Sequence, residues 1–452
     1  MPMAVLSFLD RDRSIAPPGY SRWLVPPAAL AIHLCIGQAY AFSVFNIPMT
    51  KLLGIKAPAP EDWSLEALGW IFSIALAMLG LSAAMFGKWL EKVGPRRAMA
   101  AATACFAGGF FVAAFGVRIH QIALVYLGYG VLGGIGLGLG YISPVSTLIK
   151  WFPDRPGMAT GMAIMGFGGG AMIGSPLSVF LMDKFRSAAS MGVTETFAAM
   201  GLIYGLFMLF GVVTVRIPPP GWKPEGWVPP AQPKKLVTSA HVDVGIAWRT
   251  PQFWLLWTVL CMNVTAGIGV LGQASPMIQE MFPGRITPSA AAGFVGLLSL
   301  FNLVGRFFWS SLSDLLGRKR TYLVYFLLGT GLYALVPTFG RMGSVLLFVA
   351  GFSIILSMYG GGFATIPAYL RDLFGTMHVS AIHGRLLTAW STAAVLGPVL
   401  VNYIRKFQID RGVPKTEAYS VTMYIMAGLL LVGLAANAVV SEVDKKYHYQ
   451  EP

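Results

Sequence analysis

Apolar stretches of roughly 20 residues, each long enough to cross a hydrocarbon core of about 30 Å, recur along this chain from Trp23 to Val440 and alternate with short polar joints. Inside lipid every backbone N–H and C=O must find its partner within the segment that carries it, so the stretches are predicted to be helices. Strict apolar/polar alternation, the mark of a membrane β-barrel, is absent. The composition agrees: the 452 residues are 56% hydrophobic and 12% charged, where a soluble domain carries about 25% charged residues. The expected fold class is an all-α membrane protein.

Twelve spans are read at 23–46, 67–87, 98–117, 121–149, 157–182, 197–216, 251–280, 288–313, 321–340, 343–370, 380–404 and 418–440. An even number of crossings puts both termini on one side. Lys and Arg are concentrated in the two tails and the even-numbered joints, which predicts cytoplasmic termini for a multi-pass protein of the plasma (inner) membrane. The net charge of +14 is spread through these joints rather than gathered on one face, so topology explains it and nucleic acid is not an expected partner. Residues 1–22 lack the apolar core and cleavage site of a signal peptide, so the first span is expected to target the chain and the N-terminus to be retained. Cys35, Cys105 and Cys261 all lie in apolar stretches without ligand spacing, which gives them a structural reading and leaves no metal or other cofactor expected.

The longest joint, 217–250, contains IPPPGWKPEGWVPPAQPKK and is too rich in Pro and charge to be helical in lipid. It divides the chain into an N-terminal six-helix half (1–216, with its tail), a cytoplasmic linker (217–250) and a C-terminal six-helix half (251–452). Sliding one half over the other gives a constant offset of 223 residues: Gly94 falls on Gly317, Pro144 on Pro367, Gly161 on Gly384 and Gly174 on Gly397. Parallel repeats of this kind place a substrate site near the bilayer midplane, at the repeat interface.

One ionisable residue within the spans cannot reach the surface. Arg306, in SLFNLVGRFFWSSLSD, lies near the middle of the eighth span. A charge there costs about 2.5 kcal/mol on insertion scales and far more in simulation, so it must face a polar cavity or a partner. No Asp or Glu lies at comparable depth in another span, which makes a bound anion the expected counter-ion. The planar guanidinium fork also matches a carboxylate in two-point fashion. The alternative is an Arg tied to helix carbonyls and to Asn302, one turn earlier on the same face.

Aromatic and small residues recur near that depth. His33, Gly37 and Tyr40 fall at i, i+4 and i+7 on the first span, Gly134, Gly138 and Tyr141 repeat the spacing on the fourth, and Tyr359 sits beside a triple glycine on the tenth. Small residues let backbones approach, and tyrosines offer apolar walls with hydroxyl donors. His33 titrates in the physiological range and is a candidate proton carrier, although a buried histidine can equally be structural.

GKWLEKVGPRR (87–97) and SSLSDLLGRKR (310–320) are superposed by the same offset, each joining an acidic residue to a Gly and a basic cluster. The pair resembles the signature loop of the major facilitator superfamily. That resemblance implies a conformational latch made by Glu91, Arg96 and Arg97 in one copy and Asp314, Arg318 and Arg320 in the other. Within the superfamily, GQAYAFSVFNIPM (37–49), GYISPVSTLIKWFPDRPGMATGMAIMGFGGGA (140–171), ATIPAYLRDLFG (364–375) and AIHGRLLTAW (381–390) are similar to the oxalate/formate antiporter family, itself related to the monocarboxylate transporters. The resemblance implies a secondary transporter of small carboxylates working by alternating access, with Arg306 holding the carboxylate and aromatic residues such as Tyr40, Tyr141, Tyr359 and Trp390 lining the site. Two departures matter. Asn302 stands where animal monocarboxylate transporters carry an aspartate implicated in proton coupling, and Trp390 stands near where oxalate transport relies on a lysine of the eleventh span. The first leaves a residue that cannot titrate; the second leaves one charge for a dianion and favours monocarboxylates such as lactate, pyruvate or formate over oxalate, and protons remain the expected co-substrate and a monomer the expected state. An oxalate/formate-type exchanger is the alternative.

The remaining function classes fit less well. GYGVLG (128–133) matches a dinucleotide-binding fingerprint literally, yet no strand precedes it and the apolar glycine-rich segment runs on, so helix packing is expected. A carboxylate receptor would need a sizeable effector segment, and an enzyme would need a nucleophile and base or a metal cluster within the spans; the sequence offers neither.

Overall fold

The computed structural model describes residues 7–228, 236–238 and 240–449. Part of the expected linker, residues 229–235 and 239, lies outside the described residues. Among the described residues there are twelve helices long and apolar enough to span a membrane, and no strand beyond two isolated bridges. In chain order they are α1 (Arg22–Met49), α2 (Ala67–Val93), α3 (Pro95–Arg118), α4 (Ile122–Trp151), α5 (Pro156–Phe185), α6 (Val193–Thr214), α7 (Pro251–Leu271), α8 (Ala290–Leu316), α9 (Arg318–Arg341), α10 (Val345–Phe374), α11 (Val379–Asp410) and α12 (Ser420–Val439).

The chain forms two compact units. The first comprises residues 1–154, 162–229 and 380–388, and the second 155–161, 230–379 and 389–452. Each unit therefore contains a short segment from the opposite half of the sequence: the first turn of α5 belongs to the second unit, and the start of α11 to the first. Inside the first unit α2 packs on α4, α3 on α4 and α6, and α1 on α4 and α6. Inside the second, α8 packs on α10, α9 on α10 and α12, and α7 on α10 and α12. Each pairing recurs six helices later, as a duplication requires.

Glycine makes several of these approaches possible. A Cβ on Gly109 would lie 2.6 Å from the Gly128 carbonyl oxygen, so α3 and α4 meet backbone to backbone. The GYGVLG motif lies there, within a π-helical stretch, Tyr126–Gly133, that is continuous with the α-helix after it. Its glycines serve close helix packing. At the joints α2–α3 and α8–α9 the chain turns on Gly94 and Gly317, both with φ +86°, in a backbone region that disfavours side chains. Gly94 N bonds to Leu90 O and Gly317 N to Ser313 O, so the two helix ends are built alike.

Candidate functional site

In the second unit Arg306 is fully buried, with 0% of its surface exposed. Its Nε donates to Asn302 Oδ1 at 3.0 Å, and its guanidinium carbon lies 5.3 Å from the centre of the Phe363 ring on α10. A neutral amide and an aromatic face orient the guanidinium without cancelling its charge. Phe363 in turn packs against Trp390, with centroids 4.5 Å apart, and against Tyr359 at 5.2 Å. Of the expected residues, Arg306, Asn302, Tyr359 and Trp390 thus gather around one ring that the sequence did not single out.

The triple glycine explains how α10 comes so near. A Cβ on Gly360 would overlap Asn302 and stand 3.0 Å from Arg306 Cγ; one on Gly361 would lie 2.7 Å from Trp309 Cβ on α8 and 2.6 Å from the Tyr325 hydroxyl on α9; one on Gly362 would overlap the amide of Asn263 on α7. Gly267 on α7 leaves room for the Tyr359 ring in the same way.

In the first unit His33 is fully buried. Its Nε2 faces Tyr141 O on α4 at 3.1 Å and its Nδ1 faces Ala163 O on α5, while its ring packs on that of Tyr141 with centroids 5.3 Å apart. Phe167 on α5 lies 5.6 Å from the Tyr141 ring and 5.0 Å from that of Tyr40, which is half-buried. By the 223-residue offset Phe167 corresponds to Trp390, so each unit places one large aromatic from the equivalent helix among its candidate residues. One expectation needs correcting. Residues Gly37–Phe45 wind as a 3-10 helix with about three residues per turn, so the α-helical spacing from His33 to Tyr40 does not continue past Gly37. The distortion falls where α1 crosses α5: a Cβ on Gly37 would overlap the Phe167 carbonyl, and one on Gly170 would lie 2.6 Å from Gly37 Cα.

The two loops are anchored by different contacts. Glu91 Oε1 accepts from the backbone N–H groups of Ser380 (3.1 Å) and Ala381 (3.3 Å), at the start of α11. Asp314 accepts from Gly157 N and Met158 N, both at 2.9 Å, at the start of α5. Each acid therefore supplies acceptors to a helix N-terminus, whose first N–H groups lack partners within the helix. Arg318, 6% exposed, donates to Asp314 at 2.6 Å, to Asp372 at 3.1 Å and to Ser313 Oγ. Arg96 donates instead to the carbonyls of Phe8 (3.1 Å) and Arg13 (2.8 Å) and covers the Phe8 ring at 4.3 Å, and Arg97 pairs with Asp10. Arg320 is exposed.

Residues 28–284 and 274–451 match the family model described as Major Facilitator Superfamily. The chain is similar to the oxalate:formate antiporter of Oxalobacter formigenes, at 28% identity over 83% of each chain. It is also similar to apicoplast pyruvate carrier 1 of Toxoplasma gondii, at 23% over 78% of each, and to human monocarboxylate transporter 11, at 23% over 92% of this chain and 82% of the relative. Among solved structures the fold is similar to the E. coli fucose:proton symporter (TM-score 0.63) and to the human organic anion transporter MFSD10 (TM-score 0.64), each at 14% identity and covering 93% of this chain and all of the other. A duplicated six-helix unit, the paired loops between α2–α3 and α8–α9, and a family match over nearly the whole chain lead to one conclusion: the protein is a membrane-embedded transporter of the major facilitator superfamily.

Proposed function

We propose that this transporter carries small carboxylate anions, and monocarboxylates such as lactate, pyruvate or formate in preference to dianions. The observation that carries the reading is the fully buried guanidinium of Arg306, held by the neutral Asn302 and the Phe363 ring within a wall formed by Tyr359 and Trp390. A guanidinium fork binds a carboxylate at two points, and burial in a low-dielectric setting strengthens that attraction. The named relatives include an oxalate:formate antiporter, a pyruvate carrier and monocarboxylate transporters, which supports the substrate class. Tyr40, Tyr141 and His33 are proposed as the contribution of the N-terminal half. Alternating exposure of the site to the two membrane faces is expected from duplicated halves of 1–216 and 251–452, with the paired loops as latches. We assign the chain to the plasma membrane as a monomer, with both termini and the 217–250 linker in the cytoplasm.

The test is carboxylate counterflow in proteoliposomes. Arg306→Ala is expected to abolish it in a folded, inserted protein, and Arg306→Lys to impair it strongly, because an ammonium does not reproduce the planar fork. Lactate should compete better than oxalate at neutral pH, since a second carboxylate would have to be desolvated among aromatic rings at a cost of several kcal/mol. Near wild-type counterflow in Arg306→Ala would overturn the site. Stronger competition by oxalate would favour the second reading, an oxalate/formate-type exchanger, which the identity to the Oxalobacter formigenes antiporter supports.

A further inference from the structure

The guanidinium that serves Asp314 in the second loop has no counterpart in the sequence of the first. The 223-residue offset puts Pro95 in place of Arg318, and the basic residues that follow, Arg96 and Arg97, turn to the N-terminal segment. A cavity of about 20 Å³ opens beside Glu91, and its lining includes Gly94, Pro95 and Ser380 together with two cations from outside the loop, Arg11 and Lys150. Lys150 stands in the last turn of α4, one residue after Ile149, where the second copy has Leu373 after Asp372. Acid and base have thus changed places: one copy has its base in the loop and a second acid on α10, the other has its acid in the loop and a base on α4.

Arg11 is fixed in place by its neighbours. Arg96 donates to the carbonyls of Phe8 (3.1 Å) and Arg13 (2.8 Å) on either side of it, and its own Cβ lies 2.9 Å from where a Cβ on Gly94 would stand. Glu91 attracts the Lys150 ammonium and Arg11 repels it, so the three charges lie within reach of one another. Among the described residues neither Arg11 nor Lys150 commits its side chain to a hydrogen bond or an ion pair. Ser380, 3% exposed, has its hydroxyl buried in the same place without a hydrogen-bond partner. Both cations are exposed, and a solvated charge at a membrane surface would account for either one alone. It does not account for their meeting at one cavity with the acid of the loop and a buried, unpartnered hydroxyl of α11.

We propose that Lys150 and Arg11 are positioning residues of the first loop, which receive the Glu91 carboxylate when it leaves the N–H groups of Ser380 and Ala381; this rests on the latch reading above. Glu91 then has two sets of partners, the N–H groups at the start of α11 and the cations of α4 and the N-terminal segment. The second set does for Glu91 what Arg318 does for Asp314. A carboxylate released from a helix N-terminus without a counter-charge would meet the full cost of losing its donors, and the two cations lower that cost. The carboxylate stays ionised throughout, so opening this latch needs no proton.

The test is hydrogen exchange of the purified full-length protein in liposomes, followed in peptides that contain Ser380 and Ala381. Their N–H groups belong to the first turn of α11 and have no acceptor within the helix, so their protection reports the Glu91 cap. Removing a cation should favour the capped position: Lys150→Met and Arg11→Met are each expected to slow exchange there by about two- to fivefold, the size of an exposed charge pair. Lys150→Arg should exchange as the wild type does. A poorly folded variant would exchange faster, so slowing is not a sign of damage. Glu91→Gln should exchange faster than the wild type, and adding Lys150→Met to it should change nothing further. Unchanged exchange in Lys150→Met, or the same slowing with and without Glu91, overturns the proposal. Unchanged exchange in Glu91→Gln counts instead against the latch reading itself.

Discussion

The loop after α2 and the loop after α8 descend from one motif and hold their surroundings by different means. In the later copy Arg318 ties Asp314 to Asp372, and Asp314 accepts two backbone N–H groups of α5, so the network is ionic and almost wholly buried. The earlier copy has Pro95 at the position equivalent to Arg318 and Ile149 at that equivalent to Asp372. Its acid, Glu91, caps α11, and its basic residues Arg96 and Arg97 are engaged by the N-terminal segment. That segment is itself fastened by Ala16 N to Ile217 O and Ile217 N to Ser14 O, both 2.9 Å, and Arg11 Cα lies about where a Gly94 side chain would point, 3.0 Å from it. A repeated pattern of acid, glycine and base therefore specifies the turn and the helix cap, but not how firmly the loop is held.

The contrast can be broken by removing its strongest element. Arg318→Ala removes the guanidinium that Asp314 and Asp372 share, leaving Asp372 to Arg371 and Asp314 to the α5 N–H groups, and should destabilise the protein by up to about 3–5 kcal/mol, read as a drop in thermal unfolding temperature in detergent. An unchanged unfolding temperature would mean that the ionic network contributes nothing to holding the loop. Asp314→Asn keeps the side-chain shape but loses charge-assisted bonds to Arg318 and to two backbone N–H groups, worth about 1.5–3 kcal/mol each, whereas Glu91→Gln weakens the cap on α11 in the copy that has Pro95 where the other has Arg318. Turnover should consequently slow more in Asp314→Asn than in Glu91→Gln, with little change in substrate affinity in either, as measured by separate binding and counterflow assays. Equal slowing would show that the ionic network adds nothing to the latch. The smallest effect is expected from Arg96→Ala, which removes two bonds to carbonyls and the cover over Phe8. Limited proteolysis should then cut within residues 7–16 faster, while affinity for the carboxylate stays unchanged.

The twelve crossings and the duplication were legible because lipid leaves a polypeptide one way to pair its backbone, and because a 223-residue offset preserves glycines that no other residue replaces at a φ of +86°. Arg306 was legible for the same kind of reason: a charge in the middle of an apolar span has few explanations. Phe363 and Phe167 were not, since each acquires its meaning from a helix far away in sequence, and an aromatic in an apolar run reads as ordinary filling. The offset could have found Phe167, which it maps onto Trp390. The 3-10 winding of Gly37–Phe45 left no trace in hydropathy, because the same residues would make an acceptable α-helix and the contact with α5 decides otherwise. The clasp between Arg96 and the N-terminal segment was equally silent, as a short tail carries no periodicity from which docking could be read.

The three glycines of α10 make that helix a bearing with three flats, pressed between them against α7, α8 and α9. Gly362 reports on α7, Gly360 on α8 and Gly361 on α8 and α9, so a methyl group added at any one of them pushes a different part of the wall. The push at Gly360 falls on Asn302 and on the stem of Arg306. A residue with no side chain of its own thereby sets where the guanidinium stands, and on the carboxylate reading proposed above a change of one carbon there is expected to retune anion selectivity without altering a proposed contact residue.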